Sequence, residues 1–166
     1  QVDIRVAIIT FGGERALLHQ PLQSASQAAW SRMGAGGKTP MGAALKLARE
    51  MVDDRTQIPS RSYAPTLILL SDGIPTDEWE GPLEELLKSD RASKAQRFAM
   101  AIGGGADREM LQTFLGKAGG RMFEGHEARE ITKFLRWVTM SVTVRSRSTN
   151  PNQIEYTEPD DFDLDY

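Results

Sequence analysis

Thr39 and Asp72 are the residues whose types and positions could do chemistry together. Thr39 lies in Gly34-Ala-Gly-Gly-Lys-Thr-Pro-Met-Gly42, a glycine-rich loop running into a helical pattern. Asp72 lies in Ser71-Asp-Gly73, directly after the apolar run Thr66-Leu-Ile-Leu-Leu70. A hydroxyl from one loop and a carboxylate from another are hard oxygen donors of the kind Mg²⁺, Mn²⁺ or Ca²⁺ takes. Taken alone, Ser71-Asp-Gly73 also reads as a turn whose carboxylate bonds nearby amides. Asp77 and Glu78 stand close to Asp72 in sequence, but no third group completes an acid–base site. Trp79, flanked by Asp77, Glu78 and Glu80, is either the first core residue of a helix or an aromatic anchor for a partner.

Other patterns fall short of a site. Gly36-Gly-Lys-Thr39 ends like a phosphate loop, yet the position four before the Gly-Lys pair is Arg32, and Pro40 removes an amide. Gly103-Gly-Gly-Ala-Asp107 lacks the last glycine of a dinucleotide fingerprint, because position 108 is Arg108. His19 and His126 have no acid at metal spacing and read as ordinary surface or rim residues. There is no Gly-x-Ser-x-Gly elbow. Cysteine is absent, which excludes thiolate metal sites and cysteine nucleophiles.

The elements that would carry these loops alternate. Val2 to Phe11 becomes a continuous β-branched run, which predicts a strand buried on both faces and stopped by Gly12-Gly13. Ala16 to Gln23 is a weaker strand, placed at an edge because Pro21 cannot donate to a ladder. Thr39 as N-cap and Pro40 at the first helical position predict a helix to about Asp54. Thr66 to Leu70 and Arg97 to Ile102 are short buried strands, and Arg121 to Glu124 is another. Helices are expected over 79–90, from Asp107 to Gly119-Gly120, and from Glu127 to about Val144. Strands that are apolar throughout and alternate with helices predict an α/β fold, a doubly wound and mainly parallel sheet with helices on both faces. Ligands of such sheets sit beyond the carboxyl ends of the strands, which is where the Thr39 and Asp72 loops fall.

Length and composition agree with one globular domain: 166 residues, 40% hydrophobic, 26% charged. No apolar run approaches a membrane span. The net charge of −3 argues against nucleic acid as the main partner. Glu155 to Tyr166 holds six acids and no base, so the rest of the chain is +3 (−3 minus −6). Residues 145–166 read as an acidic tail, either solvated or a docking peptide with Tyr156, Phe162, Leu164 and Tyr166 as apolar anchors. The chain opens on Gln1, which predicts a processed product or a fragment.

Five motifs in order carry a family resemblance: Ile8-Ile-Thr-Phe11, Gly36-Gly-Lys-Thr-Pro-Met-Gly42, Leu69-Leu-Ser-Asp-Gly-Ile-Pro-Thr76, Ala101-Ile-Gly-Gly-Gly-Ala-Asp107 and Phe134-Leu-Arg-Trp-Val-Thr-Met-Ser141. Together they resemble a von Willebrand factor A domain of the bacterial tellurium-resistance (TerY-like) type, over residues 1–144. The resemblance implies a metal-ion-dependent adhesion site, with Thr39 and Asp72 as metal ligands and Ser71, Gly73 and Gly37 shaping the loops. A carboxylate from a protein partner would complete the ion's shell, and Trp79 with Asp77 would contact that partner.

The family's Asp-x-Ser-x-Ser strand, central in its sheet, has no counterpart here. The expectation is that a further segment or second chain supplies it, and direct pairing of residues 4–11 with 66–70 would refute that. With Thr39 and Asp72 alone, binding of Mg²⁺ (or Mn²⁺ or Ca²⁺) should be weak. The resulting expectation is a non-enzymatic, cytoplasmic protein-binding module of a bacterial stress-response or signalling assembly, without nucleic-acid or membrane partners. The alternatives are a metal- or nucleotide-dependent enzyme on the same rim, and a structural fragment whose metal site has decayed.

Overall fold

Apolar runs with a period of two or none must become strands, and five do. They are β1 (Arg5–Thr10), β2 (Leu17–Ser24), β3 (Thr66–Ser71), β4 (Gln96–Ile102) and β5 (Met122–Gly125). Four helices intervene: α1 (Met41–Asp53), α2 (Glu80–Lys88), α3 (Arg108–Leu115) and α4 (Ala128–Ser146), with a short 3₁₀ turn at Ala92–Lys94. The structure, a computed structural model, describes residues 2–117, 120 and 122–153. The acidic segment from Glu155 onward, Arg121 and Gly119 therefore lie outside the described residues. The chain divides into two units, Gln1–Ser62 with Ile74–Lys94, and Tyr63–Gly73 with Ala95–Tyr166.

In the first unit β1 pairs antiparallel with β2. Val6 faces Gln23 and Ile8 faces Gln20, so Pro21 and Leu22 stand opposite Ala7 alone. Pro21, which has no amide to donate, thus falls at a bulge, the place in a ladder that tolerates it. The apolar stripe of α1, Met41, Ala44, Leu45 and Val52, is buried in this unit, as are Leu83 and Leu86 of α2. Expected as a helix over 79–90, α2 is shorter, because Trp79 takes the N-cap position and Ser89 leaves the helix in extended conformation.

In the second unit β3, β4 and β5 form a parallel ladder in that order. Strand β4 is central and buried along nearly its whole length. Successive side chains of a strand point to opposite faces. Phe98 and Met100 meet Phe134, Trp137 and Val138 of α4. On the other face the Arg97 guanidinium donates to the Leu115 carbonyl of α3, at 3.3 and 3.2 Å. Helices α3 and α4 therefore cover opposite faces of this ladder. Trp137 packs edge-on against Phe98, ring centroids 5.0 Å apart, and tilted against Phe123 at 4.6 Å.

Two helix ends differ from expectation. The stop of α3 comes at Gly116 rather than at Gly119-Gly120, because Gly116 adopts a positive φ of 65° that a side chain would strain. The last helix runs two residues beyond Val144, to Ser146. Its start is a capping box: the Glu130 carboxylate accepts from the Glu127 amide at 2.8 Å and also from the His126 amide.

Strands β1 and β3 do not pair with each other. Among the described residues each has one ladder partner, β2 and β4 respectively, which leaves one edge of each strand without a neighbour. Ile68, in the middle of β3, is 41% exposed.

Two outcomes follow from the second unit. Trp137→Ala should lower unfolding free energy by about 3–5 kcal/mol, as large-to-small aromatic changes in cores do, measured by urea titration. The backbone amides of His126 and Glu127 hold the Glu130 carboxyl below its ordinary 4.5. A depressed carboxyl stabilises fully above the unfolded value and loses that contribution as pH falls through the folded one. Glu130→Gln should accordingly flatten the loss of stability below about pH 4.5, seen in melting curves across an acid series.

Candidate functional site

The loop holding Thr39 is shaped by close backbone approach. Gly36 and Gly37 have φ of 109° and 84°. A Cβ on Gly37 would lie 2.7 Å from the Gly13 Cα, so this loop lies directly on the β1–β2 turn. Lys38 points its ammonium to Glu14, 3.3 Å away, in an exposed ion pair. The lysine of the Gly-Gly-Lys-Thr run is thus tied to a carboxylate of that turn.

Thr39 was expected to cap α1, but its side chain does not. Pro40 occupies the N-cap position without a side-chain hydrogen bond. The cap comes instead from a distant loop. Asp77 Oδ1 accepts from the Gly42 amide at 2.8 Å, and Oδ2 accepts from the Ala43 amide at 3.0 Å. A carboxylate at a helix start answers both the orphan N–H groups and the positive end of the helix dipole. Gly42 is required at this junction, since a Cβ there would fall 1.9 Å from the Glu78 carbonyl oxygen.

Thr39 is instead tied to Thr76 by its backbone. The Thr39 amide donates to Thr76 Oγ1 at 3.0 Å, and the Thr76 amide donates to the Thr39 carbonyl at 2.9 Å. The Thr39 hydroxyl is half-buried and has no hydrogen-bond partner among the described residues. Trp79 is half-buried at the start of α2, where its carbonyl accepts the Leu83 amide at 2.9 Å.

In the second unit the end of β3 is clamped. Ser71 is buried, with its hydroxyl 3.4 Å from both the amide and the carbonyl of Gly73. The Asp107 amide donates to the Gly73 carbonyl at 3.3 Å, while the Asp107 carboxylate caps α3 through the Met110 amide at 3.0 Å. A Cβ on Gly105 would lie 3.0 Å from the Asp72 carbonyl oxygen, so the Gly103–Asp107 loop presses on the Asp72 backbone. These contacts fix the backbone of the turn and leave the Asp72 carboxylate exposed, with no hydrogen bond or ion pair among the described residues. The turn contacts at Gly73 are made by the Ser71 hydroxyl and not by the Asp72 carboxylate.

Thr39 belongs to the first unit and Asp72 to the second. Each supplies one hard oxygen of the kind Mg²⁺ binds. Among the described residues no group of three or more His, Cys, Asp or Glu could hold a metal. Each donor fits a hard divalent cation in kind, and a single oxygen falls short in number. His19 lies on β2 with its Nε2 2.8 Å from Ser31 Oγ, and exposed His126 gives its amide to Glu130.

The contacts of Thr76 and of the Gly105–Asp107 clamp do not follow from residue type alone. Both stand in the quoted motifs, Ile74-Pro-Thr76 and Gly103-Gly-Gly-Ala-Asp107. Their signal was a hydroxyl or amide close to a candidate ligand, which requires the fold to interpret.

The class of protein follows from comparison. A family model, von Willebrand factor type A domain, matches residues 1–137, and the chain belongs to that family. The chain is similar to the magnesium-chelatase 60 kDa subunit of Rhodobacter capsulatus, 35% identical over 101 residues. That match covers 59% of this chain and 18% of the subunit, so the chain corresponds to a small part of that relative's length. Among solved structures, the crystal structure of an uncharacterized membrane spanning protein from Vibrio fischeri aligns over 82% of this chain and 75% of that one, at 24% identity and a TM-score of 0.41. Among the described residues of this chain no helix is long and apolar enough to cross a membrane.

Replacing Asp77 with Ala should leave two helix-start amides without an acceptor and cost about 1–3 kcal/mol, measured by urea titration. Gly42→Ala should cost a comparable amount by overpacking, because the obstructing atom is backbone.

Proposed function

We propose that this chain is a protein-binding module that recognises its partner through a divalent cation, with Asp72 as its protein ligand. The observation that carries the reading is the Asp72 carboxylate, exposed at the end of β3 on a clamped backbone and engaged by no described residue. Membership in the von Willebrand factor type A family supports it. Magnesium is the favoured ion, in keeping with a relative that is a magnesium-chelatase subunit. One protein carboxylate leaves most of the coordination shell to water, so a partner's carboxylate gains affinity by entering it. Trp79 is the proposed aromatic contact for that partner, whereas the Asp77 carboxylate is already committed to the start of α1.

The chain's own residues act here by binding and orienting, not by catalysis. A further strand, from another segment or chain, is part of the proposal, supported by the open edges of β1 and β3. A tellurium-resistance-like role in a bacterial, cytoplasmic stress-response or signalling assembly is the setting proposed for it.

The test is isothermal titration of the intact chain with Mg²⁺ and with Mn²⁺, alone and in the presence of acetate. Weak binding that acetate strengthens is expected. Asp72→Ala should abolish it while leaving the melting temperature nearly unchanged. Binding that survives Asp72→Ala, or no binding under any condition, would overturn the proposal.

A further inference from the structure

In the first unit, residues 28–40 form neither helix nor strand, and residues 29–38 are exposed without a break. The stretch is nevertheless tied at both ends to the β1–β2 hairpin. Ser31 Oγ lies 2.8 Å from His19 Nε2. At the other end Gly36 and Gly37 press on the turn, where a Cβ on Gly12 would stand 3.1 Å from the Gly36 carbonyl oxygen. His19 is six positions beyond Gly13, and Ser31 is six before Gly37. Two stretches of equal length, joined at both ends, run alongside each other in opposite directions. Leu17 therefore comes level with Met33, and Leu18 with Arg32.

Large apolar side chains are exposed along this strap and the strand beside it: Trp30 at 74%, Leu17 at 50%, and Leu18 and Met33 at 41% each. One exposed apolar residue needs no explanation, whereas a group of them on one tethered strip marks an interaction surface. The charges around the group have one sign. Residues 12–38 hold Arg15, Arg32 and Lys38 against a single acid, Glu14, and Glu14 is paired with Lys38. Arg15 and Arg32 are exposed and have no ion pair among the described residues. Trp, Met and Arg are the residue types that protein interfaces concentrate.

We infer that this strap is a docking surface for an acidic protein segment with apolar side chains among its carboxylates. Charge complementarity calls for the acids, because the two cations left over accompany the apolar side chains and no acid opposes them. The aliphatic Leu17, Leu18 and Met33 favour protein over nucleic acid. Single strands bind by stacking bases on aromatic rings within a basic groove, and two spare cations make a small groove. Trp30 is the anchor of the surface, as exposed Trp beside Arg is where binding energy concentrates. The ties at Ser31 and Gly37 hold the strap in place, so less freedom is lost on docking. The surface lies wholly in the first unit and does not depend on the cation proposed at Asp72, which belongs to the second.

The experiment titrates the isotope-labelled intact chain with a capped synthetic peptide, Glu-Asp-Leu-Phe-Glu-Asp-Leu-Phe-Glu-Asp, followed by NMR. The amides of residues 17–19 and 30–33 and the Trp30 indole N–H should shift, with or without EDTA and equally in Asp72→Ala. Trp30→Ala should weaken binding about 30-fold, the size of a hot-spot loss. Arg15→Glu together with Arg32→Glu should abolish it. Should that pair disturb the hairpin by circular dichroism, salt makes the same test on the unaltered chain: at 1 M the Debye length falls to about 3 Å, and the shifts should shrink. Shifts at another surface, no shifts at all, equal binding of the matched peptide with Gln and Asn in place of its acids, tighter binding of an oligothymidylate, or binding lost in Asp72→Ala would each overturn the inference.

Discussion

A parallel ladder ends all its strands on one side, and the placement of the candidate loops after β3 and β4 depends on that. Strands β3, β4 and β5 run together, so the residues after β3 and after β4 emerge at the same rim. The Gly103–Asp107 loop can therefore brace the Asp72 turn through the Asp107 amide and the bare Gly105 Cα. Were the strands antiparallel, the two loops would leave from opposite ends. The ladder is itself held by burial of β4, with aromatic packing from α4 on one face and the Arg97–Leu115 contact on the other.

Carboxylates at the ends of these elements divide between those that hold the backbone and those that remain available. Asp77, Asp107 and Glu130 are carboxylates spent on helix-start amides, each answering donors the helix cannot satisfy itself. Asp72 is not spent in that way. The contrast between Asp72 and Asp77 is informative because both sit in one short loop and both looked like rim carboxylates. One closes a helix and the other faces solvent. A carboxylate on a braced backbone loses less freedom on binding a cation than one on a loose loop would.

Much of the fold was legible because it rests on local patterns. The continuous apolar runs at Thr66–Leu70 and Arg97–Ile102 gave away the parallel strands, and the 3.6-residue periodicity of Ile131, Phe134, Leu135 and Val138 located α4. Asp107 capped α3 as its residue type suggested. Errors arose where a distant group decided the outcome. Thr39 and Pro40 had the composition of a helix start, but Asp77 reaches across from another loop and takes the capping role. Gly119-Gly120 looked like the end of α3, yet Gly116 comes first and the Arg97 guanidinium bonds the last helical carbonyl. No sequence window contains both members of such a pair. The candidate ligands were readable from type and family motif. That Thr39 is gripped through its backbone by Thr76, leaving its hydroxyl unengaged, was not.

The central claim, a cation held by Asp72, is most directly tested by adding substoichiometric Mn²⁺ to the isotope-labelled intact chain and mapping which amides lose signal. The account predicts losses centred on Asp72 and Gly73, reversed by excess Mg²⁺. Losses confined to other carboxylates, or a map unchanged in Asp72→Ala, would contradict it.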